Sequence, residues 1–108
     1  MRVLIFGDSI AQGFFDSRGG WANRVANAFH QDALKNLNND YPEVINLGVS
    51  GDTVENILNR IEDETDVRRS ATKTYLVIAV GMNDSLLVNN HAYEDEYKFQ
   101  EQYEKLEN

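Results

Sequence analysis

The chain has 108 residues with ten basic and eighteen acidic side chains, which gives a formal net charge of −8 at neutral pH. Its length fits one domain spanning residues 1–108, and its negative charge disfavours nucleic acid and anionic membrane surfaces as partners. Because the chain has no cysteine, disulfides, cysteine metal ligands and a thiol nucleophile are excluded.

Three apolar segments, at residues 3–6, 44–47 and 74–80, have the β-branched composition of buried parallel strands. Each segment is followed by a polar turn and then by a helical stretch, so a β-α unit occurs three times. This alternation predicts an α/β fold in which helices cover both faces of a parallel sheet.

The helical spacing of apolar side chains predicts helices at about residues 20–37, from about residue 53, and at about residues 92–106. Asp52 or Thr53 is the expected cap of the second helix. The expected inward faces are formed by Trp21, Val25, Ala28, Phe29 and Leu37 in the first helix, by Val54, Ile57, Leu58 and Ile61 in the second, and by Tyr93, Tyr97, Tyr103 and Leu106 in the third.

The turns after the three predicted strands carry the candidate functional residues. They read GDS at residues 7–9, GVSGD at 48–52 and GMND at 81–84. In a parallel sheet these turns lie at the edge where ligands bind. A serine at such a turn is by itself more often a turn or cap residue, but Ser9 also suits a nucleophile. The N–H groups of Ser9 and Gly51 and the side chain of Asn83 would then donate to the oxyanion.

Three segments, FGDSIAQG, NLGVSGDT and VGMND, resemble blocks one to three of the SGNH, or GDSL-type, hydrolases, and GGWANRV resembles the start of their first helix. The resemblance covers residues 2 to about 90. It implies a flavodoxin-like three-layer α/β/α fold, present here as its first three β-α units. It also implies a serine esterase or acyl hydrolase that acts on small-molecule esters, thioesters or acetyl groups without a cofactor or metal. The catalytic roles fall on Ser9, Gly51 and Asn83, with Asp8 and Asp84 supporting their turns.

The fourth block of that family, a D-x-x-H that supplies the general base, does not occur in the chain. Asn27 stands three residues before His30, and Val88 stands three residues before His91. We therefore expect the first half of such an enzyme, inactive or weakly active by itself. His91 is the candidate for a substitute base, whereas His30 is expected on a helix surface.

Two other functions remain open at this point. The first is a non-catalytic binding or assembly module that has kept the acyl pocket. The second is a magnesium-dependent phosphoryl-transfer or receiver-like module, in which Asp8, Asp52 and Asp84 would bind the cation. Against the second, Asp52 is also explained as a helix cap and Asp84 as a turn residue, and neither a P-loop nor a G-x-G-x-x-G motif is present.

The implied strand order, 2-1-3-4-5, has a consequence for partners. Without strands four and five, residues 74–80 form an open apolar edge, which predicts a homo-oligomer or pairing with a separate C-terminal half. Residues 1–6 are too few for the apolar region of a signal peptide, and no segment is long enough to span a membrane. We therefore expect a cytoplasmic protein.

Overall fold

The computed structural model describes residues 1–35, 42–81, 87–88, 91–92 and 104–105. Within these ranges the strands are β1 (Arg2–Gly7), β2 (Glu43–Gly48), β3 (Thr74–Ala79), β4 (Leu87–Val88) and β5 (His91–Ala92), and the helices are α1 (Ser9–Gln12), α2 (Trp21–Lys35) and α3 (Val54–Asp66).

The first three strands form one parallel sheet in the order β2-β1-β3. This order is the beginning of the flavodoxin-like order 2-1-3-4-5, so the predicted fold class is confirmed. Gly7 at the end of β1 pairs with Gly48 on one side and with Ala79 on the other. All three strands therefore end at the same edge of the sheet. Strands β4 and β5 form a separate antiparallel pair.

The central strand β1 separates two apolar layers, because its successive side chains point to opposite faces. Leu4 and Phe6 are buried against Ile57 of α3 on one face. Ile5 is buried on the other face, where it packs with Ala22 of α2 and Val44 of β2. Packing on both faces fixes the position of β1 and therefore the position of the turn that follows Gly7.

Helix α3 begins as the sequence predicts, and Thr53 is its cap. The Thr53 side chain accepts a hydrogen bond from the Asn56 amide, and the Asn56 side chain accepts one from the Thr53 amide, which completes a capping box. The alternative cap, Asp52, is wrong: its carboxylate pairs with Arg60 instead.

The helix predicted at about residues 20–37 is confirmed as α2 within the described residues, but its predicted inward face is only partly right: Trp21 packs against the core, and Leu37 lies outside the described residues. The structure has a four-residue helix α1 first and then α2, which buries Ala22 and Ala33 while Ala28 is exposed and Phe29 and Val25 are 43% and 38% exposed. Helix α2 packs mainly against β2, so the flank turned away from β2 stays in solvent. Apolar spacing identifies a helix but does not say how much of the sheet lies beneath it.

Strand β3 lies at an edge of the three-stranded sheet, as predicted, with Tyr75, Leu76 and Val77 partly exposed. The predicted third helix falls largely outside the described residues, although its first residue, Ala92, belongs to β5 and residues 104–105 are helical. Of the helices that the structure describes, none has the length and apolar character needed to cross a bilayer.

Candidate functional site

The turn that carries Ser9 is a capped, four-residue helix at the end of β1. Asp8 is buried in an extended conformation, and its Oδ1 accepts the Ile10 N–H at 3.0 Å, which caps α1. Ser9 is the first residue of α1 and is half-buried. Within the described residues, no acceptor takes its N–H and no partner binds its hydroxyl. As far as the described residues go, both groups are therefore available to a ligand.

The last turn of this short helix is held by asparagine side chains from other elements. Asn46 Nδ2 donates to the Ala11 carbonyl and to Asn23 Oδ1, both at 2.8 Å. Asn23 Nδ2 donates in turn to the Gln12 carbonyl at 3.2 Å, and Asn46 Oδ1 accepts the Gly48 N–H at 2.9 Å. These bonds satisfy carbonyls that every helix C-terminus leaves without an intrahelical partner.

No sequence pattern predicted this amide network. Its one visible signal is Asn46 itself, a polar residue in the middle of an apolar strand. The close approach of α1 to β2 is a second feature of the same contact. A Cβ placed on Gly48 would lie 2.6 Å from the Gln12 amide nitrogen, so no larger residue fits there.

The turn that carries Gly51 is bonded directly to the Ser9 turn. The Val49 N–H donates to the Gly7 carbonyl at 3.0 Å, which continues the strand pairing past the end of β2. Gln12 Oε1 accepts both the N–H and the hydroxyl of Ser50 at 2.7 Å. The side chain of Gln12, the last residue of α1, thus connects the helix that begins at Ser9 to Ser50, the residue before Gly51. The sequence did not predict this contact.

Gly51 itself has a left-handed backbone, with φ +86°, and it faces open space. A Cβ at this position would have no atom within 4 Å, so backbone conformation and not crowding explains the glycine. As with Ser9, the Gly51 N–H has no acceptor within the described part of the chain.

The other side of the Gly51 turn is held by charge. Arg60 of α3 donates to Asp52 Oδ2 through Nε at 3.0 Å and through Nη2 at 2.7 Å, and Nη2 also donates to the Leu47 carbonyl at 2.8 Å. The guanidinium lies 5.3 Å from the Phe6 ring centroid, within cation–π range, and also pairs with Glu64. Arg60 therefore connects the end of β2, the turn and α3.

The remaining predicted site residues are placed as follows. Asn83 and Asp84 lie outside the described residues, as does the side chain of His91, whose backbone belongs to β5. His30 is exposed on α2, as predicted. Its Nε2 accepts the Val44 N–H at 3.1 Å at the start of β2.

The aspartates considered for a cation make protein contacts instead. Asp8 caps α1 and Asp52 pairs with Arg60. Across the ranges that the structure describes, no group of three His, Cys, Asp or Glu side chains is arranged to hold a metal ion.

Two clefts flank the Ser9 turn and share Ile10 as a wall. The first has a volume of about 240 Å³ and is lined by Asp8, Ile10, Ala11, Trp21, Ala79 and Val80. The second, of about 380 Å³, is lined by Ile10, Phe14, Phe15, Asp16 and Ser17. The hydrogen bond from the Arg18 amide is the main cause that holds the pKa of Asp16 below its ordinary value, and Arg24 adds to it.

Comparison with known proteins identifies the group to which this arrangement belongs. The sequence matches the model of the GDSL-like lipase/acylhydrolase family over residues 5–108. No curated protein matches it.

Among solved structures it resembles a lipase/acylhydrolase from Enterococcus faecalis (28% identity, TM-score 0.67, 97% of this chain and 49% of that one). It also resembles TesA (26% identity, TM-score 0.67, 95% and 50%). An acetyl xylan esterase, AlAXEase, shares the fold (24% identity, TM-score 0.72, 98% and 50%). The chain spans about half the length of these structures. The family match extends over nearly all of its residues, and the chain therefore belongs to the GDSL-like lipase/acylhydrolase family.

Proposed function

We propose that this chain carries the nucleophile and part of the oxyanion site of a serine hydrolase that cleaves small-molecule carboxylic esters. One observation carries the proposal. The Ser9 and Gly51 turns are bonded to each other at the end of the sheet, and both amide N–H groups lack an acceptor among the described residues. Family membership supports the reaction class.

In the proposed reaction, Ser9 Oγ attacks the acyl carbon while a histidine takes the hydroxyl proton. The N–H groups of Ser9 and Gly51, with the Asn83 side chain, donate to the oxygen that becomes negative. Collapse of the tetrahedral intermediate expels the alcohol, which receives the proton, and leaves an acyl-Ser9 ester. Water then attacks that ester with the same histidine as base, which restores Ser9 and releases the acid.

The histidine is the part of this mechanism that the described residues do not supply. His30 is engaged with the backbone of β2 through Nε2. The base is therefore His91 or a histidine beyond these 108 residues. In a serine protease, losing the base costs about 10⁶ in turnover, and about 10³ to 10⁴ over water remains from binding and the oxyanion site. Without a base we expect weak activity that Ser9→Ala lowers little further, and a much larger Ser9-dependent rate once a base is supplied.

The test is p-nitrophenyl acetate hydrolysis by the chain and by Ser9→Ala, each with and without added imidazole as a replacement base. The matched control is Ser70→Ala, since Ser70 precedes β3 at the opposite end of the sheet. We expect Ser9→Ala to lose at least about 10³-fold in kcat/KM under the condition that supports turnover, whereas Ser70→Ala keeps its activity.

The imidazole arm identifies the base. Activity without imidazole that His91→Ala abolishes would assign the base to His91, and activity that requires imidazole would assign it to a histidine outside the chain. Equal rates for the wild-type chain and Ser9→Ala under both conditions would overturn the proposal and favour a non-catalytic binding module.

A further inference from the structure

An exposed aromatic cluster follows the Ser9 turn directly. Ile10, Phe14 and Phe15 are 56%, 58% and 95% exposed, and the rings of the two phenylalanines lie 4.1 Å apart with a tilt of 45°. Scattered apolar side chains on a surface need no explanation, but a contiguous group beside a candidate site is typical of ligand contact. We call these three residues the aromatic cluster.

The aromatic cluster is attached to the nucleophile by covalent and hydrogen bonds. Ile10 follows Ser9 in sequence, and the Phe14 N–H donates to the Ser9 carbonyl at 3.1 Å. Ile10 also separates the two clefts that flank the Ser9 turn. A chain lying in the second cleft would therefore begin beside the candidate reaction centre.

The backbone at Phe15 is held in an unfavourable conformation. Its φ of 65° makes it the one non-glycine residue with positive φ in the described ranges. For a bulky side chain this conformation is a genuine outlier, and such strain concentrates at ligand-binding segments. The exposed ring gains little from packing, so neither burial nor local backbone preference explains a phenylalanine here.

The loop around Phe15 is fixed by polar contacts that do not involve the rings. Asp16 Oδ1 accepts the Arg18 N–H at 2.8 Å and lies 3.4 Å from Arg24 Nη1. The Asp16 N–H donates to the Gly13 carbonyl at 3.2 Å, and its own carbonyl accepts the Gly19 N–H at 3.1 Å. The loop thus presents the rings without depending on them for its shape.

We infer that the aromatic cluster binds the alkyl chain of the ester substrate, so that the preferred substrate has a chain of several carbons and not only an acetyl group. This inference rests on the proposed function. The rings and Ile10 supply the apolar lining of the second cleft, and Asp16 and Ser17 supply its polar lining. The Asp16 carboxylate and the chain's net charge of −8 favour a neutral ester over an anionic surface.

The test measures binding separately from turnover. In the Ser9→Ala background, where esters are not consumed through Ser9, the affinities of ethyl acetate, ethyl octanoate and octyl acetate are compared by NMR titration. A buried methylene is worth about fourfold in affinity, and for a half-open cleft we expect a gain of at least about 30-fold for a long chain over ethyl acetate. If ethyl octanoate binds more tightly than octyl acetate, the cleft holds the acyl chain of the ester. The opposite order assigns the cleft to the alcohol chain.

Two variants test whether the aromatic cluster causes the higher affinity for long-chain esters. Phe15→Gly suits the positive φ and should reduce the gain at least about fivefold, without lowering the melting temperature. Phe14→Ala should reduce it as well. The matched control is Phe29→Ala, because Phe29 is another partly exposed phenylalanine, on α2, and should leave the gain unchanged.

Equal affinities for the short and the long esters, or a gain that persists in Phe14→Ala/Phe15→Gly, would overturn the inference. Its failure is distinguishable from that of the proposed function. Affinity that depends on chain length, without Ser9-dependent hydrolysis, would support the aromatic cluster as a binding site and contradict the proposed hydrolase function. Ser9-dependent hydrolysis without any dependence of affinity on chain length would support the hydrolase function and contradict the role of the aromatic cluster.

Discussion

The turn after β1 and the turn after β2 meet at one edge of the sheet, yet different chemistry holds each in place. Neutral amide groups of Asn46 and Asn23 hold the carbonyls that end α1, behind Ser9. On the far side of the Gly51 turn, Arg60 binds Asp52 and the Leu47 carbonyl. Gln12, which accepts from Ser50, links the two turns.

The difference follows from what lies around each turn. Helix α1 has four residues, too few to stabilise itself, so its free carbonyls need donors from neighbouring elements. Helix α3 has thirteen residues and its own capping box, so it is stable enough to position Arg60 against the Gly51 turn. The first turn is therefore sensitive to loss of a hydrogen bond, and the second to loss of a charge.

The largest effect should come from breaking the charged contact with Arg60→Met. Arg60 and Asp52 are both largely buried, and removing one partner of such a pair leaves the other charge poorly solvated. We expect the free energy of unfolding to fall by about 2–4 kcal/mol in urea titrations. Arg60→Lys should recover only part of this loss, because an ammonium group cannot reproduce the guanidinium fork.

Arg69→Met is the matched control for that experiment. Arg69 lies just beyond the C-terminal end of α3 and forms an exposed ion pair with Asp66, and such pairs contribute about 0–1 kcal/mol. If Arg69→Met were as destabilising as Arg60→Met, the account of the Gly51 turn would be wrong.

A smaller loss should follow from breaking the amide network with Asn46→Ala. The change removes a donor from the Ala11 carbonyl and an acceptor from the Gly48 N–H, so we expect a loss of about 1–3 kcal/mol. Asn46→Asp keeps the acceptor but turns a carboxylate oxygen toward the Ala11 carbonyl and Asn23 Oδ1, so it should also be destabilising. Asn59→Ala, at an exposed position on α3, should stay within about 0.5 kcal/mol of the wild-type value.

The smallest effect concerns the loop that presents the aromatic cluster. The Arg18 amide lowers the pKa of Asp16 from 3.8, so the folded state prefers the ionised carboxylate. Its contribution to stability is therefore present at neutral pH and is lost as the pH falls below about 4, through the folded-state pKa.

Melting temperatures from pH 7 to pH 3 for the wild-type chain and Asp16→Asn provide the measurement. Because Asp16 is exposed, the wild-type advantage should be slight at pH 7 and should disappear in acid. If the melting temperature of the wild-type chain exceeded that of Asp16→Asn by more as the pH fell, the lowered pKa of Asp16 and its hydrogen-bond explanation would be contradicted.

Sequence patterns predicted the elements whose causes are local. Three apolar strands in alternation with helices predicted the parallel sheet, and the pair Asp52 and Thr53 in front of a run of helical spacing predicted the start of α3, with Thr53 as one of two expected caps. The same patterns placed Ser9 and Gly51 at the strand ends, because turns after parallel strands must meet at one edge. They failed for part of the inward face of α2, because apolar spacing cannot show which side of the helix the sheet covers, and Val25 stays 38% exposed.

The sequence by itself thus determined the fold class, the position of the candidate nucleophile and the family. Only the tertiary structure decided which side chains hold the two turns, since Asn46 and Ala11 are 35 residues apart and Arg60 and Leu47 are 13 apart. It also decided that Phe15 keeps a left-handed backbone with its ring in solvent. The physical reason is the sequence separation of the interacting groups. Strands, caps and turns follow from neighbouring residues, whereas the partner of a hydrogen-bond donor and the exposure of a ring depend on distant segments that only folding brings together.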